Sequence, residues 1–181
     1  MGANATGDAG TGTGADGIRI EAVTAELLPT YRDVRIAALI DSPRAFWTTY
    51  RQASTRTDDA WADWLGDGPR TWLAFAGDSP VGTVGLWRGD DQPPDEITLV
   101  GMWVATVVRG SDVAERLVRK ALEEAADAGV RRVVLEVAHE NARAWAFYSR
   151  MGFRPTGETG TMPWDASVTE ELMVLDLAPR S

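Results

Sequence analysis

Residues 97–114 read ITLVGMWVATVVRGSDVA, and the fold turns on this stretch. Ile97 to Val108 is a long run rich in β-branched residues, which predicts a central strand buried on both faces. Val113, Leu117, Val118, Ala121, Leu122 and Ala125 form one apolar stripe, predicting a helix immediately afterwards with Gly129 at its C-terminal cap. Between them lies a tight turn, Val108-Arg109-Gly110-Ser111-Asp112-Val113-Ala114. A strand that passes through such a turn into a helix has the geometry of an anion site, because unpaired N–H groups at a helix N-terminus converge on phosphate.

Working towards the N-terminus, Asp90 to Asp95 reads as a surface loop, and Thr71–Ala76 and Val81–Trp87 as a hairpin across Gly77-Asp78-Ser79-Pro80. A helix capped by Thr57 or Asp58 carries Trp61, Trp64 and Leu65 and ends by Gly66. An earlier helix carries Leu27, Tyr31, Val34 and Ala38 and stops at Asp41-Ser42-Pro43, and Ile18, Ile20 and Ala22 alternate as a first strand. Residues 1–16 are Gly, Ala and Thr with two aspartates and read as a disordered leader, leaving 17–181 as one domain. Towards the C-terminus, Arg132–Ala138 is a strand. Asn141 caps a short helix closed by Gly152, and two strands near 153–157 and 171–177 flank a loop holding Pro163 and Trp164. The fold class is therefore α/β, a mixed central sheet of about six or seven strands flanked by about four helices.

The chain has 181 residues, 44% apolar and 25% charged, an ordinary globular balance for a single core. It contains no cysteine and one histidine, His139, so disulfides, thiolate metal sites, a cysteine nucleophile and multi-histidine metal sites are all excluded. A net charge of -9 argues against bulk binding to nucleic acid or anionic membranes. No stretch approaches a signal peptide or a membrane span, which points to a cytoplasmic protein.

From the strand, turn and helix at 97–125, the chain resembles the GNAT superfamily of acyl-CoA-dependent N-acyltransferases. A second family element follows the next strand: Asn141-Ala142-Arg143-Ala144-Trp145-Ala146-Phe147-Tyr148, then Met151-Gly152-Phe153. The resemblance implies acetyl-CoA as cosubstrate, its pantetheine arm along the backbone of Met102, Trp103 and Val104 and against Asn141. It implies a pyrophosphate on the turn of Arg109, Gly110, Ser111, Val113 and Ala114, and a Tyr148 hydroxyl that protonates the departing thiolate. Taken singly, Asn141 reads as a helix cap and Tyr148 as a core aromatic, and it is their joint spacing that favours the site roles.

The turn departs from the family pattern at Asp112, where a glycine is usual. Glycine there would allow unusual backbone angles and a close approach of diphosphate. A carboxylate at roughly 5 Å repels a like charge by about 3 kcal/mol at an effective dielectric near 20, about a hundredfold in affinity. Asp112 and Glu115 also have the spacing of a capping pair, in which Asp112 would stand where phosphate otherwise does.

Removing a proton from an amine requires a base, and Glu96, at the mouth of the central strand, resembles the general-base glutamate of histone-type relatives. Glu136 on the next strand and His139 at its end are further candidates. Trp47, Trp61 and Trp64 lie in the region that roofs the acceptor site in GNAT proteins, and suggest an aromatic pocket. The acidic clusters Asp58, Asp59, Asp63, Asp67, Asp90 and Asp91 favour a cationic amine. The leading expectation is N-acetylation of a small-molecule primary amine without metal. The alternatives are a GNAT-fold protein that has lost acetyl-CoA use through Asp112, and a protein acetyltransferase with an open peptide groove. The aromatic surface and final hairpin also offer a contact for a homodimer.

Overall fold

The computed structural model describes residues 17–65 and 70–178. The leader read over 1–16 and the helix end read at Gly66 lie outside the described residues. The strands are β1 (Ile18–Ala22), β2 (Thr71–Ala76), β3 (Ser79–Trp87), β4 (Glu96–Val104), β5 (Arg132–Ala138), β6 (Arg154–Met162) and β7 (Asp165–Asp176). The helices are α1 (Leu28–Asp41), α2 (Tyr50–Ser54), α3 (Asp58–Leu65), α4 (Val113–Asp127) and α5 (Ala142–Arg150), with 3-10 turns at Pro43–Ala45 and Thr106–Val108. The strands form one mixed sheet in the order β1-β2-β3-β4-β5-β7-β6, in which β4 and β5 run parallel and every other pair is antiparallel.

Two cores sandwich the sheet. Val113, Leu117, Val118 and Ala121 of α4 pack with Tyr148 of α5 on Ile97, Leu99, Val133 and Leu135. On the other side Tyr31, Val34 and Leu39 of α1, Ala53 of α2 and Trp61 of α3 cover Leu73 and Phe75. Five α-helices replace the four expected, because α2 is too short to show a period. It rests instead on a capping box between Thr49 and Gln52. Thr57, not Asp58, caps α3 by accepting from the Ala60 amide at 3.2 Å.

The central strand is shorter than its β-branched run. It ends at Val104, where Ala105 donates to the Val81 carbonyl at 2.8 Å and the chain enters the 3-10 turn. Nor is it buried on both faces. Ile97 and Leu99 enter the α4 core, whereas Thr98, Val100 and Met102 are only partly covered because a cavity lies over them. β-propensity reports a tolerance for extended backbone and cannot locate either effect.

Two irregularities in β4 shape this cavity. Against β3, Thr83 faces Trp103 and Gly85 faces Val100, so β4 carries one extra residue, a bulge that contains Gly101 at φ +65°. Against β5, registered pairs stop after Glu96–Arg132, Ile97–Val133 and Thr98–Val134, while all of β5 continues to pair with β7. Beyond Thr98 the two parallel strands part. Gly101→Val puts a β-branched residue at a left-handed φ and should cost about 2 kcal/mol, checked by urea denaturation.

Candidate active site

Two cavities open on the parted strands. The larger, a groove of about 720 Å³, runs between the β4 end, the turn, α4 and α5. Its walls include Met102, Trp103 and Val104 of β4, Arg109, Gly110 and Ser111 of the turn, Ala114 of α4 and Asn141 beside α5. Val113 instead points into the core, 1% exposed, so only its backbone belongs to the turn. Asn141 does cap α5, its Oδ1 accepting from the Ala144 amide at 3.1 Å, and lines the groove as well. Arg119, Arg143 and Arg150 add positive charge to the groove, with Arg119 held by Glu115 at 2.7 Å.

Asp112 does not close this groove. Its φ of -81° and ψ of -1° are ordinary helical values, and the positive φ of the turn, +92°, falls at Gly110. No unusual backbone angle is therefore required at position 112. The Asp112 side chain makes no capping bond and is exposed outside the groove lining. The capping pair is thus absent as well, and Glu115 bonds Arg119 instead. The residues present fit a long phosphorylated thioester: a backbone edge for the arm, a glycine turn, and cations nearby.

Arg109 is turned inward. Its Nε donates to the Val104 carbonyl at 2.9 Å and its Nη2 pairs with the Asp41 carboxylate. Asp41, the last residue of α1, also accepts from the Trp103 indole at 2.9 Å, Ser42 Oγ at 2.8 Å and Thr106 Oγ1 at 3.2 Å. These bonds, led by the indole, hold its carboxyl well below the usual carboxylate range. The hub ties α1 to the end of β4 and to the start of the turn.

The second cavity, about 370 Å³, lies over the sheet beneath α1 and residues 46–48. Three contacts fasten that roof segment to the far side of the sheet. Arg44 makes a two-point ion pair with Glu140, the Trp164 indole donates to the Phe46 carbonyl at 2.8 Å, and the Trp47 indole donates to Glu170 Oε2 at 2.7 Å. Phe46, Met102 and Tyr148 line both cavities, so the two meet there.

Glu136 lines the smaller cavity. Although solvent reaches it through the cavity mouth, the surrounding protein desolvates it, and Glu170 on the same sheet face repels its charge. Its pKa is pushed up to about 7. Glu170 is 3% exposed and also raised by burial, which its bond from Trp47 partly offsets. Tyr148 is 7% exposed, and burial raises its pKa far above neutrality. Its hydroxyl donates to no described residue.

Glu96, expected as the base, lines neither cavity. It sits at the far end of β4, bonded to Arg132 at 3.3 Å and Gln92 at 3.2 Å. His139 lies outside both cavities too, between Thr169 at 3.1 Å and Glu171 at 3.2 Å. Trp47 and Trp64 line the smaller cavity, but Trp61 is 1% exposed and packs edge-on against Tyr31, 6.0 Å between centroids. Of the acidic clusters, Asp58, Asp59, Asp63, Asp90 and Asp91 are exposed and line neither cavity, and Asp67 lies outside the described residues. Among the described residues no group of three or more acidic or histidine side chains could hold a metal, and no helix is long and apolar enough to cross a membrane. The places of Arg35, Asp41, Thr83 and Glu170 in the site were not legible from local patterns, because they depend on strand register and on what α1 covers.

The model of the acetyltransferase (GNAT) family matches residues 36–153. The chain belongs to the GNAT family. Human N-acetyltransferase 8B is 33% identical over 123 residues, 65% of this chain and 54% of that protein. An uncharacterized N-acetyltransferase of Mycobacterium tuberculosis is 36% identical over 97 residues, 53% of this chain and 60% of that one. The chain thus spans little more than half the length of these curated relatives. Among solved structures, an N-acetyltransferase from Staphylococcus aureus superposes with a TM-score of 0.73 at 20% identity, covering 88% of this chain and 98% of that one. A putative acetyltransferase from Salmonella typhimurium, solved with its cofactor acetyl-CoA, gives 0.72 at 17% identity, covering 91% and 96%. The mixed seven-stranded sheet is the GNAT fold.

Asp112→Gly should change acetyl-CoA affinity, measured by calorimetry, by less than about threefold, since the carboxylate is solvent-screened outside the groove. Asp41→Asn should cost about 1–2 kcal/mol at pH 7 by urea denaturation. Because the folded pKa of Asp41 is depressed, its contribution is present above the unfolded value near 4, and the gap between variant and wild type should shrink as pH falls below it.

Proposed function

We propose that the protein transfers an acetyl group from acetyl-CoA to the primary amine of a small molecule. The observation that carries this reading is the junction of the two cavities at Phe46, Met102 and Tyr148, with Glu136 in the smaller one. The groove, by its backbone edge, turn and arginines, suits the donor, whose thioester supplies the activated acyl group. The roofed cavity of about 370 Å³ suits a small acceptor better than a peptide chain.

In this reading Glu136 takes the proton of the acceptor amine. A carboxylate with pKa about 7 is largely ionised just above neutrality, yet basic enough to draw a proton. Tyr148 holds its proton at Oη throughout the physiological range and presents it at the junction, where a leaving sulfur requires one. Phe46 and the fastened roof exclude water from the same place. Attack by the amine forms the amide C–N bond and breaks the C–S bond. The amine's protons pass to Glu136 and solvent, and the sulfur leaves as a thiol with the proton of Tyr148, which solvent then restores.

Thiol release should be measurable when acetyl-CoA is supplied with a panel of small primary amines. Glu136→Gln should lower kcat about 100-fold, within the usual range for general-base loss, and Tyr148→Phe about tenfold or more. The acid limb of kcat/KM should fall with a pKa near 7 and vanish in Glu136→Gln. No thiol release with any amine, or an unchanged limb in Glu136→Gln, contradicts the reading. Glu136 also affects stability. Its raised folded pKa means that ionisation costs stability as pH rises from about 4.5 to about 7. Glu136→Gln should therefore be the more stable protein at pH 8, by up to about 1 kcal/mol after discounting for solvent access. The difference should disappear at pH 4.

A further inference from the structure

Arg35, on α1, lines the smaller cavity, and its Nη1 is buried without a hydrogen-bond partner. The guanidinium lies over the Phe46 ring, 4.2 Å from the centroid, which satisfies its face but none of its N–H groups. No carboxylate among the described residues pairs with it. Thr83, on β3 and 1% exposed, also lines this cavity, and its Oγ1 is likewise buried and unpartnered. A guanidinium nitrogen and a hydroxyl, both buried and unpartnered on side chains that line one cavity, are costly to a folded chain unless a ligand completes them.

We infer that Arg35 and Thr83 form an anion subsite that binds a carboxylate of the acceptor. The planar guanidinium matches a carboxylate in geometry and charge, and the Thr83 hydroxyl supplies a further donor. The subsite is separate from the base. Thr83 is on β3 and Glu136 on β5, with β4 between them, about 10 Å apart by strand spacing alone. Phe46, Trp47 and Trp64 line the same cavity and suit a flat apolar body. The acceptor is then a small amine that carries a carboxylate set apart from its amino group, in place of the purely cationic amine that the surface aspartates suggest. The assignment of the second group as an amine rests on the function proposed above. The anion subsite itself does not.

The test is a calorimetric titration of phenylacetate and of its neutral analogue 2-phenylethanol, with acetyl-CoA absent and then with CoA saturating. Wild type should bind phenylacetate at least tenfold more tightly than 2-phenylethanol in both conditions. Arg35→Met should lose that preference and Thr83→Val should weaken phenylacetate about threefold. Equal affinity for the two probes in wild type, no phenylacetate binding, displacement of phenylacetate by CoA, or an unchanged preference in Arg35→Met would each overturn the subsite. The wild-type comparison decides the matter even if Arg35→Met does not fold. A preference for phenylacetate in a protein that releases no thiol with any amine would uphold the subsite and remove only the acetyl-transfer reading.

Discussion

When a β-ladder ends while its strands continue, backbone N–H and C=O groups face a gap that something polar must fill. β4 and β5 are in this position beyond Thr98. The bulge at Gly101 makes the separation possible: one extra residue turns β4 while its pairing to β3 resumes at Trp103. Both cavities depend on this divergence. The larger groove uses the freed edge of β4, the smaller cavity uses its floor, and Tyr148 of α5 lines both. A fully zipped sheet of the same composition would have a better ladder and no site.

The parted strands need support from outside the ladder, and two sets of contacts give it. At the β4 end, Asp41 gathers the Trp103 indole, Thr106 and Arg109, so the turn is held by α1 and not by β5. Across the opening, the roof segment is fastened through Arg44, Phe46 and Trp47 to Glu140, Trp164 and Glu170. The bond from Trp47 has a second effect. It holds the Glu170 carboxylate on the sheet face it shares with Glu136, and the repulsion adds to desolvation in raising the Glu136 pKa to about 7.

Most of the fold was legible in the sequence because it rests on local patterns. The stripe of α4, the Asn141 cap and the hairpin at Gly77 all report on contacts within a few residues. What failed depended on long-range register. Glu96 and Glu136 both alternate on strands flanking the same gap, and only the end of pairing at Thr98 shows that Glu96 lies on the zipped side with Arg132. Asp112 was misleading for a related reason. The turn needs one glycine-like φ, but the backbone takes it at Gly110, two residues earlier. A binding role for Arg35 was not legible, since an arginine on an amphipathic helix ordinarily faces water.

The most direct test of the parted-strand account is a crystal structure of the protein with CoA. The pantetheine arm should lie in the gap, hydrogen-bonded to the β4 backbone between Met102 and Val104, with its sulfur beside the Tyr148 hydroxyl. A structure in which β4 and β5 pair beyond Thr98, or in which CoA binds away from this gap, would contradict it.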